Sequence, residues 1–429
     1  MAKEKVHPKT DVKRDVKKKI ESIVYTIKPL IYMEYFYGIY RFNLVDGELR
    51  PSSWKIKIYG IFFMALTFIL FVMNFKLPAV MTGAENIVDT MDEVPSIVVL
   101  IQYTTSAITA SFLVNSLNIR ILAMLGDLDS MLNVETSSDF YKISRRETIK
   151  FILFFSISHL INTIIDLVTE DNIVIMNLIV LPMYFVQKLE IVVFCKYVSM
   201  IKSRLTMINK YVKTFVHEQE KHNIVVFTVR DKEKESDEEY NYIGRASESN
   251  VKIRNLATTY DSIGKICAMI NEAFNFQIFM TLVSTFTYVV ITIWTSLFYY
   301  KKPENYSGEL VNIAVWCFSA ILNVGLISIA CERLLLVRNE TKVLVNKVIM
   351  NYDLPKSMRV QAKAFMELVE AWPLRIFIYD MFSVDITLML KFISVSTTYL
   401  IVIVVHMKKY TFFVVSDYTH STATHTIVN

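Results

Sequence analysis

Helix breakers are scarce in this chain: its 429 residues include only 9 glycines and 9 prolines, and Pro182 alone falls well inside an apolar run. Such a sequence offers no glycine-rich loop to cradle a phosphate. It also has little material for the broken helices common in transporters. Cysteine is equally sparse, with 4 residues, Cys195, Cys267, Cys317 and Cys331, placed at helix ends or inside an apolar run. That placement excludes a disulfide framework between outside loops and leaves reduced, structural thiols as the expectation. No His, Cys, Asp or Glu group has metal-site spacing, and no nucleophile has a neighbouring base. Neither an enzyme nor a cofactor is expected, and no nucleic-acid partner.

What the chain has in quantity is apolar sequence. Hydrophobic residues make up 53% and aromatics 13%, while the charged 20% is confined to blocks between long apolar runs. Mean hydropathy is positive, at +0.37. The segregation indicates an all-α, polytopic membrane protein. Seven transmembrane helices are expected, at residues 58–75, 94–114, 149–168, 173–194, 278–300, 311–329 and 391–407. The chain then divides into a cytoplasmic N-terminal segment (1–55), helices 1–4 (56–200) and a cytoplasmic loop with anchor helices (201–277). Helices 5–6 (278–330), a second cytoplasmic anchor segment (331–390), helix 7 (391–407) and an outside tail (408–429) follow. Residues 20–55 read as an amphipathic helix or re-entrant segment lying against the membrane, and a mixed-charge loop joins spans two and three. Residues 214–250, dense in alternating charge, read as a solvated linker.

Lysine and arginine set the orientation. Of those outside the spans, 38 fall on the N-terminal side of the membrane and 5 on the other. The N-terminus is therefore expected inside and the C-terminus outside, opposite to a G-protein-coupled receptor. The third span also lacks Asp-Arg-Tyr and the seventh lacks Asn-Pro-x-x-Tyr. A seven-helix receptor of that kind and a secondary transporter of a small molecule remain the alternatives. Asn305-Tyr306-Ser307, in an outside loop on this topology, is an N-glycosylation acceptor at Asn305.

Polar residues inside the spans follow helical spacing. In the third span His159, Thr163 and Asp166 share a face with Asn162 beside them. A charge such as Asp166 at the bilayer centre costs about 3 kcal/mol, so it must face protein or water. The second span adds Gln102 and Tyr103, the fourth Tyr184, the fifth Tyr288, Thr292 and Trp294, and the sixth Trp316 and Ser319. Together they form either polar interhelical contacts or an aromatic-walled cavity for a small polar or amphipathic ligand in the outer half of the bundle. Lys188 and Glu190, nearer the cytoplasm, read as snorkelling or structural.

In the last apolar stretch Lys391, Ser394, Thr398, Val402 and Val405 stack along one helical face. That face either packs against another helix through small residues or borders water. Thr398-Tyr399 followed by five apolar residues (400–404) resembles the C-terminal signature of insect gustatory receptors, in which a Thr-Tyr pair and five apolar residues precede Gln-Phe. Val405-His406 stands in place of Gln-Phe. Phe377, Phe382 and Asp385 resemble the same family's run into the last helix, with Asp380 where a glycine is usual.

The resemblance implies a ligand-gated, non-selective cation channel opened by small-molecule tastants, multi-pass in the plasma membrane of sensory neurons. It implies a homo- or hetero-tetramer of related subunits, surrounded by membrane lipids, with one central pore for permeant cations. Lys391, Ser394, Thr398, Tyr399, Val402, Val405 and His406 would then be the pore and gate residues. Val405 is expected to form an aliphatic constriction, with His406 just outside it changing charge near about pH 6.5. Lys391 is expected to pair with Asp385 or Asp380.

Overall fold

The computed structural model describes residues 8–45, 47–74, 84–134, 139–169, 175–222, 235–301, 307–399, 401–402 and 405. It is a helical bundle with two small hairpins. In chain order come α1 (Pro8–Phe36), β1 (Asn43–Val45), β2 (Glu48–Arg50), α2 (Trp54–Asn74) and α3 (Ala84–Ile108), the last running into a π-helical turn at Thr109–Leu113. Then follow α4 (Asn115–Met131), α5 (Asp139–Thr169), α6 (Ile175–His222), α7 (Glu235–Lys301), α8 (Ser307–Met350) and α9 (Lys356–Ala371). A hairpin of β3 (Phe377–Ile378) and β4 (Phe382–Ser383) leads into α10 (386–399), with helical backbone again at 401–402 and 405.

Few breakers make long helices. α6, α7 and α8 run for 48, 67 and 44 residues. At about 1.5 Å per residue each far outruns a hydrocarbon core of about 30 Å, so each projects well beyond the bilayer. Pro182 is absorbed inside α6. Among the described residues, five stretches are long and apolar enough to cross a membrane: Trp54–Met73, Val94–Leu113, Asp139–Val168, Lys252–Ser296 and Val311–Met350. The fourth and seventh expected spans both include residues outside the described set. Phe62 on α2 and Leu160 on α5, 63% and 57% exposed, are typical of helices whose solvent is lipid, and the chain is a multi-pass membrane protein.

The best-packed core lies on the projecting parts. Ile121, Leu122 and Leu125 of α4 meet Tyr197, Ile201 and Leu205 of α6, Tyr260 and Ile263 of α7 and Phe365 of α9 in one buried cluster. Gly264 is required there, because a Cβ at that position would lie 2.3 Å from the Trp372 ring. Trp372 is fixed from both ends: its indole donates to Asp261 (2.8 Å) and its carbonyl accepts from the Tyr260 hydroxyl (2.8 Å).

Two loop expectations are corrected by this packing. α1 is a helix whose Ile23, Ile27 and Leu30 form a buried stripe that joins the α4–α6 core, while Tyr25, Tyr32 and Phe36 stay exposed. Between the second and third spans stands α4, whose Ile121, Leu122, Leu125 and Leu128 recur at helical spacing beneath the charges that suggested a loop. The linker expected at 214–250 is helical backbone to His222 and again from Glu235, and residues 223–234 lie outside the described set.

Two buried ionic clusters tie these pieces together. Arg204 of α6 grips Asp129 of α4 with both ends of its fork, Nε to Oδ1 at 2.8 Å and a terminal nitrogen to Oδ2 at 2.6 Å. Arg41, between α1 and β1, bridges Glu34 (2.7 Å) and Glu190 of α6. Glu190 is thus structural, one of the two readings its sequence position allowed.

The β3–β4 hairpin positions α10. Tyr379 and Asp380 at its tip take left-handed φ values of 46° and 56°, which gives a physical reason for a glycine at the Asp380 position. Asn271 and Asn275 of α7 accept from the backbone N–H groups of Phe377 (3.0 Å) and Tyr379 (2.9 Å). Asp385 caps α10, accepting from the Thr387 N–H (2.9 Å) and the Ser383 hydroxyl (2.8 Å). Burial works to raise this carboxyl, but the Thr387 and Ser383 hydrogen bonds outweigh it and hold the group below its usual range.

Candidate functional site: an aromatic cavity and a polar helix face

The helical stripe on α5 brings Asp166 to α8, where its carboxylate accepts from the Trp316 indole N–H at 2.7 Å. Trp316 is the hub of the site. Its ring lies 5.0 Å from Tyr184 of α6, 6.4 Å from Tyr288 of α7 and 6.3 Å edge-on from His159 of α5. Tyr184 and Tyr288 meet edge to face at 6.1 Å. Tilted and T-shaped pairs at such distances are favourable ring geometries, so four helices converge on one aromatic cluster.

Below the rings lies a closed polar floor. Gln187 donates to Gln102 Oε1 (3.0 Å) and to Ser284 (2.7 Å), Ser284 donates to the same Gln102 oxygen (2.6 Å), and Gln102 donates to Thr281 (3.0 Å). Such a network fixes α3, α6 and α7 against one another without leaving amide atoms of Gln102 unmatched. Between floor and rings is a cavity of about 20 Å³, lined in part by Tyr184, Lys188, Tyr288, Trp316, Ser319 and Asn323. That is room for about one water, so a larger guest enters only as the aromatic walls part.

Lys188 is the residue the sequence reading placed elsewhere. It is 3% exposed, and its ammonium stands 5.4 Å over the Trp316 ring with no hydrogen-bond acceptor among the described residues. Tyr184, Gln187 and Lys188 are spaced i, i+3, i+4, so helical periodicity alone puts all three on one face. Their shared face was the signal for Lys188.

The other expected ligand contacts divide. Gln102, His159, Asp166, Tyr184, Tyr288, Trp316 and Ser319 gather at the cavity or its floor. Tyr103 turns the opposite way and donates to the Tyr37 carbonyl at 3.1 Å, within a separate buried cluster containing Ile39 and Phe71. Thr163 bonds back to the His159 carbonyl (2.9 Å) and Thr292 to the Tyr288 carbonyl, each satisfying its own helix. Asn162 is buried beside the α5 stripe, and Trp294 is half-buried outside the cavity lining. Asn305 lies outside the described residues.

α10 touches the rest of the subunit at few points, and Ile393, Val395 and Ile401 are exposed along with its polar stripe. Phe392 and Tyr399 pack edge-on against Phe286 of α7, at 6.3 and 5.4 Å, and Ser396 is buried. Lys391, Ser394, Thr398, Val402 and Val405 stay exposed on the subunit surface, with the Thr398 hydroxyl bonded to the Ser394 carbonyl at 2.9 Å. Asp385 is committed to the helix cap, so the expected pairing with Lys391 is not formed, and no ion pair links Lys391 to Asp380. His406 lies outside the described residues.

The comparisons with known proteins bear on this arrangement as a whole. No curated protein matches the chain. Solved structures share its fold. The insect olfactory receptor OR5 from Machilis hrabei aligns with a TM-score of 0.59 over 88% of this chain and 96% of that one, at 14% identity. The same receptor in complex with eugenol aligns with a TM-score of 0.57 over 90% and 99%, at 12% identity. The 7tm chemosensory receptor family matches residues 27–404, a stretch that takes in α2 to α9, the aromatic cavity and the packed part of α10. The chain belongs to the 7tm chemosensory receptor family.

Proposed function

We propose that this chemosensory receptor is a gustatory receptor working as a ligand-gated, non-selective cation channel. Four subunits, identical or related, would surround a central pore lined by α10, with the N-terminus cytoplasmic and the ligand cavity in the outer half of each subunit. The extensions of α6 to α9 across residues 201–277 and 331–390 would form the cytoplasmic anchor. The observation that carries the reading is the uncovered surface of α10. Within one subunit it is anchored by Phe392 and Tyr399 on Phe286 and by buried Ser396, and most of the rest is left uncovered, including a stripe bearing an ammonium and two hydroxyls. Such a face is costly against hydrocarbon and suited to a water-filled path.

The test is electrical. In cells expressing the chain, a small-molecule tastant evokes a cation current. A positively charged thiol reagent then blocks most of the current through Thr398→Cys and leaves Phe392→Cys, packed against Phe286, conducting. Unmodified current in Thr398→Cys, or saturable uptake of the ligand without current, would remove the pore from this face.

The cavity sets the ligand chemistry. Three aromatic rings and one buried ammonium suit a small amphipathic molecule that presents an acceptor oxygen to Lys188. Eugenol, held by the related-fold olfactory receptor, is a molecule of that general kind. Lys188→Met should raise the half-activating concentration of such a ligand by about tenfold or more, the loss of one charge-assisted hydrogen bond. The dose–response curve reads this directly, and an unchanged midpoint would place the ligand away from Lys188.

A further inference from the structure

Between α5, α6 and α8, at the ends of the spans that carry the lysine and arginine excess, lies a cleft of about 490 Å³ remote from the aromatic cavity. It is within the size range of small-molecule sites. Its lining is of two kinds. Phe151 and Phe154 of α5 and Ile329 of α8 line it, and all three are also exposed on the outside of apolar, membrane-capable helices, at 40%, 50% and 38%. The charged lining presents Lys150 of α5, Lys196 and Lys202 of α6 and Arg333 of α8, against the single carboxylate of Glu147.

The four cations form no ion pair among the described residues. Lys196 is held by Ser144, donating to its carbonyl and its hydroxyl at 2.8 Å each, and the Glu147 carboxylate of the same cleft acts on this nearly buried ammonium. Lys150, Lys202 and Arg333 make no ion pair with a described residue. A cleft bordered by exposed phenylalanines of a membrane-capable helix, with a net charge of about +3 among its charged residues, is complementary to an amphiphile with apolar chains and a head bearing several negative charges. One zwitterionic phosphate would leave most of this charge unmatched, and a soluble anion would leave the phenylalanines unused.

We propose that this cleft is a binding site for a polyphosphorylated inositol phospholipid of the inner leaflet, its phosphates taken by Lys150, Lys196, Lys202 and Arg333 and its acyl chains lying along Phe151 and Phe154. The inner-leaflet assignment rests on the orientation proposed above. The binding itself can be measured without current, so its failure is distinguishable from failure of the channel reading. Because α6 and α8 also carry Lys188 and Trp316, an occupied cleft would brace the helices that wall the ligand cavity.

The experiment is native mass spectrometry of the purified full-length protein titrated with phosphatidylinositol bisphosphate, phosphatidylserine or phosphatidylcholine, with free inositol phosphate as a separate arm. The expected result is preferential retention of the phosphoinositide, weaker retention of phosphatidylserine, and little of the other two. The double variant Lys150→Gln/Arg333→Gln, both exposed and outside the core, should weaken phosphoinositide binding about thirtyfold, about fivefold for each basic group. Lys265→Gln, an exposed position on α7 away from the cleft, should bind as the wild type does. Equal binding of phosphatidylcholine, no change in the double variant, or equal weakening by Lys265→Gln each overturns the proposal. Tight binding of free inositol phosphate would overturn the lipid as occupant.

Discussion

Replacing Arg204 with methionine should destabilise the folded receptor by about 3–5 kcal/mol, because it leaves the Asp129 carboxylate charged and without its guanidinium partner in a buried site. Asp129 is 0% exposed and the Arg204 side chain 3%. The carboxylate accepts both arms of the Arg204 fork and the Tyr141 hydroxyl (2.8 Å), and the guanidinium also donates to the Met200 carbonyl (3.0 Å). Lys19 of α1 reaches the Asp129 backbone carbonyl at 3.4 Å, so four helices, α1, α4, α5 and α6, meet here. Removing both charges should be far milder than removing one. Asp129→Leu/Arg204→Met is expected to recover most of the loss, since a packed apolar pair costs no desolvation of ions. Thermal unfolding of the detergent-purified variants, arranged as a double-mutant cycle, measures the coupling. Single and double variants that melt together would show the pair to be dispensable to α4–α6 docking.

The same pair shows where sequence reading stops. Asp129 and Arg204 are 75 residues apart, and nothing in either neighbourhood announces the other. Glu190 and Arg41, 149 apart, are no more legible. Charges near a span end look alike from sequence whether they snorkel, solvate or pair, because the partner is chosen by tertiary packing. Local periodicity was far more readable. The α5 stripe led to Asp166, which the fold places on Trp316, and the spacing of Tyr184, Gln187 and Lys188 held the signal for a residue read as peripheral. Adjacent positions expose the limit of that method: Gln102 enters the polar floor while Tyr103, about 100° further round the helix, faces the other way. α4 was hidden for another reason. Its buried face includes Asn115, Asn118 and Asp129, and these polar residues masked a helical period carried by Ile121, Leu122, Leu125 and Leu128.

The Arg41 cluster should make stability depend on pH in a way that one carboxyl-to-amide change removes. Arg41, Glu34 and Glu190 are each at most 3% exposed, so two carboxylates share one guanidinium in a buried site where their mutual repulsion is little screened. Burial drives Glu34 up, and although Arg41 pulls it down, the neighbouring Glu190 adds to the rise, leaving it at about 7. A carboxyl whose folded pKa is raised contributes stability fully below its unfolded value, about 4.3, and loses it as pH rises through the folded value. The wild type should therefore forfeit on the order of 3 kcal/mol from this cluster between about pH 5 and 8. Glu190→Gln leaves one carboxylate for one guanidinium, so this variant should be nearly neutral at the acid end, more stable than wild type at the alkaline end, and flatter between. Arg41→Met should behave in the opposite sense. It strands two buried carboxylates, costing about 3–5 kcal/mol at the alkaline end and less in acid, where protonation neutralises them. Melting temperatures of the three proteins across that pH range separate these outcomes, because every other titrating group is common to all. If Glu190→Gln kept the wild-type slope, the two carboxylates would not be competing for Arg41, and the link between α1 and α6 would have to be sought in the apolar packing of Ile23, Ile27 and Leu30 instead.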